Sequence, residues 1–301
     1  MWCNEKTQNP GMKVVLSQIN FTWGSAPTMS VTYTATLPVR DETMDFLAGL
    51  LTAERARRGT RQRTRSLSCH EQAVLVLRWF HDGTRMGQLA VDNAISVSTG
   101  YDYLHEGVDV LAARSPGLHG ALLAAKAAGY SHVAIDGTLI ETDRCCTPGP
   151  TPGVDLWWSG KHAQHGGNIQ VITAPDGWPI WTSDVRPGRE HDTTAVRAHA
   201  EILPALTTTA ADLRTLGDLG YEGEAGTITV AFKKPKDGRL TLHQQQLNHA
   251  HNAVRAIAER GNALLKSTFK ALRNVSLCPW QIGRIVAAAL VLLHFDHART
   301  T

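Results

Sequence analysis

The stretch from Gly167 to Val185, GNIQVITAPDGWPIWTSDV, restricts the fold more than any other part of the chain. Two runs of alternating apolar and polar residues flank Pro175-Asp176-Gly177. Alternation with a period of two is the mark of a strand with one face buried, and Asp-Gly readily takes the positive φ of a tight turn. The segment therefore predicts an antiparallel hairpin. HVAIDGTLI before it and LRTLGDLGY and TITVAFK after it read as further strands. Helical periods fill the gaps: Thr193 to Leu203 behind a capping Asp192, a long helix from about Leu242 to Arg273, and a last one from Pro279 to His297. The order βββ-α-β-β-α-α predicts a mixed α/β domain, a five-stranded mixed sheet with helices on its faces.

Ahead of this lies an all-helical pattern. One helix is expected from Asp41 to Arg57. A second, CHEQAVLVLRWFHD, stops at Gly83. A third lies within TRMGQLAVDNA, and a fourth starts at an N-capping Ser96. In LAVDNAISVST, Ala90 is small enough to face the next helix, Ile95 is placed to plug the core, and Ala94 stands where a turn glycine is usual. The expected division is an irregular or disordered N-terminal tail over 1–37, a helical domain over 38–115 and the α/β domain over 116–301. Met29 is an alternative natural start to Met1.

The chain has 301 residues, 43% hydrophobic and 19% charged, which suits a soluble globular protein of one large or two smaller domains. Its five cysteines are odd in number and form no CxxC, so a reduced cytosolic protein is expected. The longest apolar run, Ile285 to Phe295, is too short to span a bilayer; no membrane partner and no signal peptide are expected. Net charge is only +3, yet positive charge is concentrated. ERARRGTRQRTR (54–65) contributes Arg55, Arg57, Arg58, Arg61 and Arg63 as candidate contacts to a polyanion, and Lys161 and His162 are candidates at a cleft edge.

Chemistry gathers on acids. Asp136 in VAIDGT and Asp218 in LGDLGYEG each follow an apolar run and precede a glycine, which places them at the rim of a sheet. In RAIAERGNALLK, residues Arg255, Glu259 and Lys266 fall on one stripe of a helix. That stripe is either a solvated face with an i,i+4 ion pair or the wall of a site. Carboxylates converging in one cleft repel one another, and divalent cations relieve that cost. Oxygen donors favour Mg²⁺ or Mn²⁺ over zinc.

AIDGT, SGKHAQHGGNIQV, PGREHDTTAVR, GDLGYEG and NAVRAIAERGNALLKSTFKALRN occur in the order found in DDE transposases of bacterial insertion sequences, which this chain resembles over about residues 40–299. One departure is Asn252, where many relatives have a tyrosine. The resemblance implies an RNase H-like core in which Asp136, Asp218 and Glu259 are catalytic and hold two Mg²⁺ ions, with Mn²⁺ able to substitute. Arg255 and Lys266 would bind phosphates. It implies a helix-turn-helix in front, with Ser98, Thr99, Tyr101 and Tyr103 as candidate DNA contacts. The implied partners are double-stranded DNA, as terminal inverted repeats and as target, and further copies of the chain in a homodimer or larger assembly. The implied place is the bacterial nucleoid. The expected reaction is cleavage at the element's ends followed by joining of the 3′ ends to target DNA. A nuclease that cuts without joining and a non-catalytic DNA-binding descendant remain the alternatives.

Overall fold

The computed structural model describes residues 12–14, 35–61 and 63–301. Most of the expected irregular tail, and Met29, lie outside them. Within the tail, β1 (Met12–Val14) and β2 (Ala35–Leu37) pair antiparallel. The chain divides after Val110 into two compact units.

The first unit is helical, with α1 (Asp41–Arg57), α2 (Cys69–Asp82), α3 (Met86–Asp92) and α4 (Val97–Ala112), whose last two residues belong to the second unit. Gly83 ends α2 in the left-handed region, as expected, and a reciprocal capping box of Ser68 and Glu71, not anticipated, starts it. The Ser96 hydroxyl accepts the Thr99 amide at 3.1 Å. Ala90 is buried, while Ile95 is only half-buried. Leu47, Leu51, Leu75, Leu77, Phe80, Leu89 and Leu104 form the core. Ala94, between α3 and α4, has φ 51°, the strained left-handed conformation expected of its position.

The second unit carries α5 (Leu118–Ala127) and then a sheet. Five of its strands pair in the order β6 (Pro179–Thr182), β5 (Gln164–Thr173), β3 (His132–Glu141), β8 (Arg214–Leu216) and β9 (Ile228–Thr229). β5 runs antiparallel to β3 and β6, whereas β8 and β9 run parallel to β3. This is the expected mixed α/β, RNase H-like sheet. It is widened to seven strands by β4 (Trp158–Ser159) and β7 (Arg186–Pro187), both paired with the first half of β5. The predicted hairpin is β5–β6, with Gly177 at φ 87°.

Several elements differ from expectation. β9 keeps only two residues of TITVAFK, and the residues after Asp218 form a 3₁₀ turn (Leu219–Glu224) rather than strand. The helix expected from Thr193 to Leu203 is broken into α6 (Asp192–Ala198) and α7 (Ile202–Thr209). α8 covers Leu242–Thr268 and α9 covers Ile282–Asp296, each bordered by a short 3₁₀ turn. Side chains alternate across a strand. Asp136, Val171 and Thr173 therefore share one face, on which α8 lies, and Gly137 and Gln170 share the other, on which α6 lies.

α8 approaches the sheet closely. A Cβ at Gly261 would stand 2.6 Å from Thr173 Cγ2 and 2.7 Å from the Gly177 carbonyl oxygen. Gly→Ala ordinarily stabilises a helix by about 1 kcal/mol. Gly261→Ala is expected to do the opposite, lowering stability by roughly 1–3 kcal/mol through overpacking. Ala94→Gly should relieve left-handed strain and raise stability by about 1 kcal/mol. Denaturant unfolding of the two variants against wild type measures both signs.

Candidate active site

The parallel register joins Ala134 to Leu216. Two residues beyond that pair stand Asp136, still within β3, and Asp218, just past the end of β8, near enough for the charge of one to act on the other. Asp136 is thus not at a strand end, as expected, but in the middle of β3, where β8 stops and leaves one edge of β3 uncovered. Asp218 follows the end of β8. It is held by a local hydrogen bond in which the Gly220 amide donates to Oδ1 at 2.8 Å.

α8 crosses above this edge and presents the stripe predicted from its sequence. The stripe is longer than expected, running His251, Arg255, Glu259, Asn262, Lys266 at spacings of three and four. His251 Nε2 donates to the Gly217 carbonyl at 2.9 Å, beside Asp218. Asn262 Nδ2 donates to Asp136 Oδ2 at 2.9 Å, while its own Oδ1 is buried without a hydrogen-bond partner. Lys266 Nζ donates to the Leu139 carbonyl at 2.8 Å. Asn262 was not anticipated, although its position one turn after Glu259 was the available signal. Lys266, expected at a DNA phosphate, is instead turned inward. Standing two turns past Glu259, it lies over the end of β3, and burial lowers its pKa.

Arg255 pairs with Glu259 at 3.1 Å, and the Glu259 side chain is 55% exposed. Arg255 also offsets the negative charge at Asp136. The Asp136 carboxyl is pushed up from 3.8 to about 6, first by burial, then by the charge of Asp218, with Asp192 and Glu259 adding and Arg255 opposing. The donors are hard carboxylate oxygens, which fit Mg²⁺ or Mn²⁺. Asp136 and Asp218 already stand side by side, with more negative charge than Arg255 compensates. Glu259 faces Arg255, and among the described residues no group of three His, Cys, Asp or Glu side chains forms a ready metal cage.

The opposite face of the sheet carries Asp192 and a cleft. Asp192, expected to cap a helix, is the first residue of α6 behind His191, and no side chain caps that helix. Its carboxylate lies against Gly137, where any Cβ would collide with Oδ1. Beside it is a cleft of about 310 Å³ lined by Lys161, His162, Arg189 and His191, with Asn168 and Asp192 among its walls. The two cleft-edge candidates, Lys161 and His162, are therefore brought together beside the acids. Trp157 is buried edge-on against Trp280, and Trp158 packs on His165, so neither stands free at the cleft.

In the first unit the arginine-rich segment is largely structural. Arg57 and Arg58 pair with Glu54, holding its carboxyl down to about 2. Arg55 donates to Gln72 at 2.7 Å. Glu106, only 5% exposed on α4, accepts from Gln72 at 2.9 Å and pairs with Arg65, with Arg58 3.6 Å away. The expected polyanion roles of Arg55, Arg57 and Arg58 compete with these bonds, whereas Arg61 and Arg63 are exposed, with no side-chain partner found among the described residues. Tyr103, expected at DNA, is 2% exposed. Its hydroxyl accepts the Leu67 amide and its ring lies under Arg65, so it belongs to the core. Ser98 is exposed, Thr99 is half-buried, and Tyr101 stacks on His105.

The raised Asp136 pKa means that the folded chain holds that proton more tightly than the unfolded chain. The resulting stability is present below about pH 4 and lost as pH rises through about 6. In metal-free buffer, Asp136→Asn should therefore raise stability near neutral pH by on the order of 2 kcal/mol, and the difference should close on acidification. Urea unfolding across pH measures this.

The described cysteines Cys69, Cys145, Cys146 and Cys278 are free thiols, and no helix among the described residues is long and apolar enough to cross a membrane. No curated protein matches the chain. Two solved structures are similar to it. One is the Mos1 transposase paired-end complex with left transposon end, at 10% identity over 79% of this chain and 85% of that one, with a TM-score of 0.20. The other is the Mos1 mariner paired end complex with Mn, at 12% identity over 78% and 99%, with a TM-score of 0.21. Likeness this loose carries no residue roles across. The family model described as DDE superfamily endonuclease matches residues 135–294, more than half of the chain, from just before Asp136 into the last turn of α9. The chain belongs to the DDE superfamily endonucleases.

Proposed function

We propose that this endonuclease is a DNA transposase which cuts the terminal inverted repeats of its element and joins the freed 3′ ends to target DNA. The observation that supports it most is the nearness of Asp136 and Asp218 at the edge of β3 that β8 leaves, with the α8 stripe bonded to Asp136 through Asn262 and to the Gly217 carbonyl, next to Asp218, through His251. In this reading Asp136, Asp218 and Glu259 are the catalytic acids. Asp136 and Asp218 would hold two Mg²⁺ ions, with Mn²⁺ able to substitute, and Glu259 would be the third holder once freed from Arg255. Such ions, when bound, activate the attacking oxygen and stabilise the leaving one in phosphodiester cleavage.

The chain's own residues do the rest. The Asn262 amide holds Asp136, and the His251 ring holds the Gly217 carbonyl next to Asp218. Arg255, released from Glu259, has its guanidinium beside the site for a phosphate, a geometry suited to bidentate binding. Lys161 and His162 meet the strand from the other side of the edge, and Lys266 braces α8 against β3 in place of a direct phosphate role.

The helical unit is proposed as the sequence-reading module, a helix-turn-helix formed by α3 and α4. Ser98, Thr99 and Tyr101 would lie toward the DNA, and Arg61 and Arg63 would supply phosphate contacts. Domain limits of 38–115 and 116–301 are kept as the proposed functional division. Assembly as a homodimer or larger complex on paired ends, in the bacterial nucleoid, completes the reading.

Asp136→Asn, Asp218→Asn and Glu259→Gln should each lower Mg²⁺-dependent cleavage of a labelled end duplex by at least about a thousandfold while leaving duplex binding within a few-fold of wild type. Cleavage at wild-type rate by any one of them removes that residue from the mechanism. Cleavage without strand transfer in the wild type would reduce the protein to a nuclease.

A further inference from the structure

Behind the acids a directed chain of hydrogen bonds crosses the core. The Tyr221 hydroxyl, fully buried, donates to Gln170 Oε1 at 2.5 Å. Gln170 Nε2 donates to Asn168 Oδ1 at 2.7 Å, and Asn168 Nδ2 donates to Asp192 Oδ1 at 2.9 Å. Each amide is oriented by the next, so the chain has one direction and ends on a carboxylate. The neighbouring Thr193 hydroxyl donates to the Gly220 carbonyl, which ties the same turn to the loop that holds Asp218. Asp192 Oδ2 is left facing the cleft, 3.9 Å from Lys161 Nζ.

An exposed lysine paired with a mobile acid gains little, because both side chains lose freedom. Here the acid is already immobile, its shape fixed from the core outward. Only the lysine has to be ordered. A helix cap does not account for this arrangement, since Asp192 caps nothing.

Resting on the transposase reading above, we infer that Asp192 is a positioning residue that holds Lys161 at the rim of the 310 Å³ cleft, where the ammonium meets a backbone phosphate of the DNA strand being cut. The cleft is then a phosphodiester subsite on the α6 face of the sheet, opposite the face that carries α8. Glu190, another acid in its wall, is occupied by Arg186 through two bonds of 2.8 Å, so it does not compete for the lysine.

The test uses the sign of a charge effect. A labelled DNA duplex of random sequence is titrated with the full chain in EDTA, without divalent metal, over a range of KCl concentrations. Lys161→Ala should weaken binding several-fold and reduce the slope of log K against log[salt] by about one, the signature of one lost phosphate contact. Removing a negative charge next to a polyanion should by charge alone tighten binding. If Asp192 positions Lys161, Asp192→Asn weakens it instead, and the weakening disappears when Lys161 is already alanine. Asn168→Ala cuts the chain without changing any charge. It carries the same expectation, and thermal unfolding confirms that each variant is folded.

Tighter binding by Asp192→Asn in both backgrounds, effects of Asn168→Ala that simply add to those of Lys161→Ala, or an unchanged salt slope in Lys161→Ala would each overturn the positioning role alone. A wild-type chain that neither binds nor cuts DNA would overturn the transposase reading first.

Discussion

The site depends on how α8 is fastened across the open edge of β3. A helix of 27 residues with a polar stripe would ordinarily turn that stripe to water. Here three members of the stripe reach inward to the sheet: His251 to the strand end before Asp218, Asn262 to Asp136 itself, and Lys266 to the backbone of Leu139. Gly261 permits the approach by keeping a side chain out of the gap against Thr173. With these anchors in place, Arg255 and Glu259 are held over the two aspartates. Without them, the stripe would be a solvated face with one exposed ion pair.

The charge arrangement follows from the same geometry. An aspartate within β3 and another just past the end of β8, with a third behind the sheet, cost the folded state stability near neutral pH. Asp136 shows that cost as a raised pKa. Arg255 offsets part of it. Carboxylates crowded together at a cost in stability are a common feature of functional sites. The first unit treats charge in the opposite way. Its buried Glu106 is surrounded by Arg65, Arg58 and Gln72, so the segment that looks most like a nucleic-acid patch on paper is in large part internal bracing.

Much of this was legible in the residues. Capping at Ser96 and Gly83, the Asp-Gly turn and the alternation in β5 and β6 are local signals, and each acts within a few residues of itself. Asp136, Asp218 and Glu259 could be named because each sits in a short motif. Other parts were not legible. The inward turn of Lys266, the burial of Tyr103 and the hydrogen-bond chain from Tyr221 to Asp192 depend on partners up to 127 positions away. The break between α6 and α7 and the shortening of β9 likewise have no local sign of comparable strength.

The sequence by itself determined most of the elements and the mixed sheet, and it supplied the three acids as candidates, because periodicity, turn chemistry and motif order are properties of neighbouring residues. Only the tertiary structure decided which charges face which. Asp192 became the end of a buried chain, Lys161 its partner at a cleft and Asn262 the link to Asp136. Ion pairs and hydrogen bonds are fixed by strand register and helix packing, and these bring together groups that are far apart along the chain.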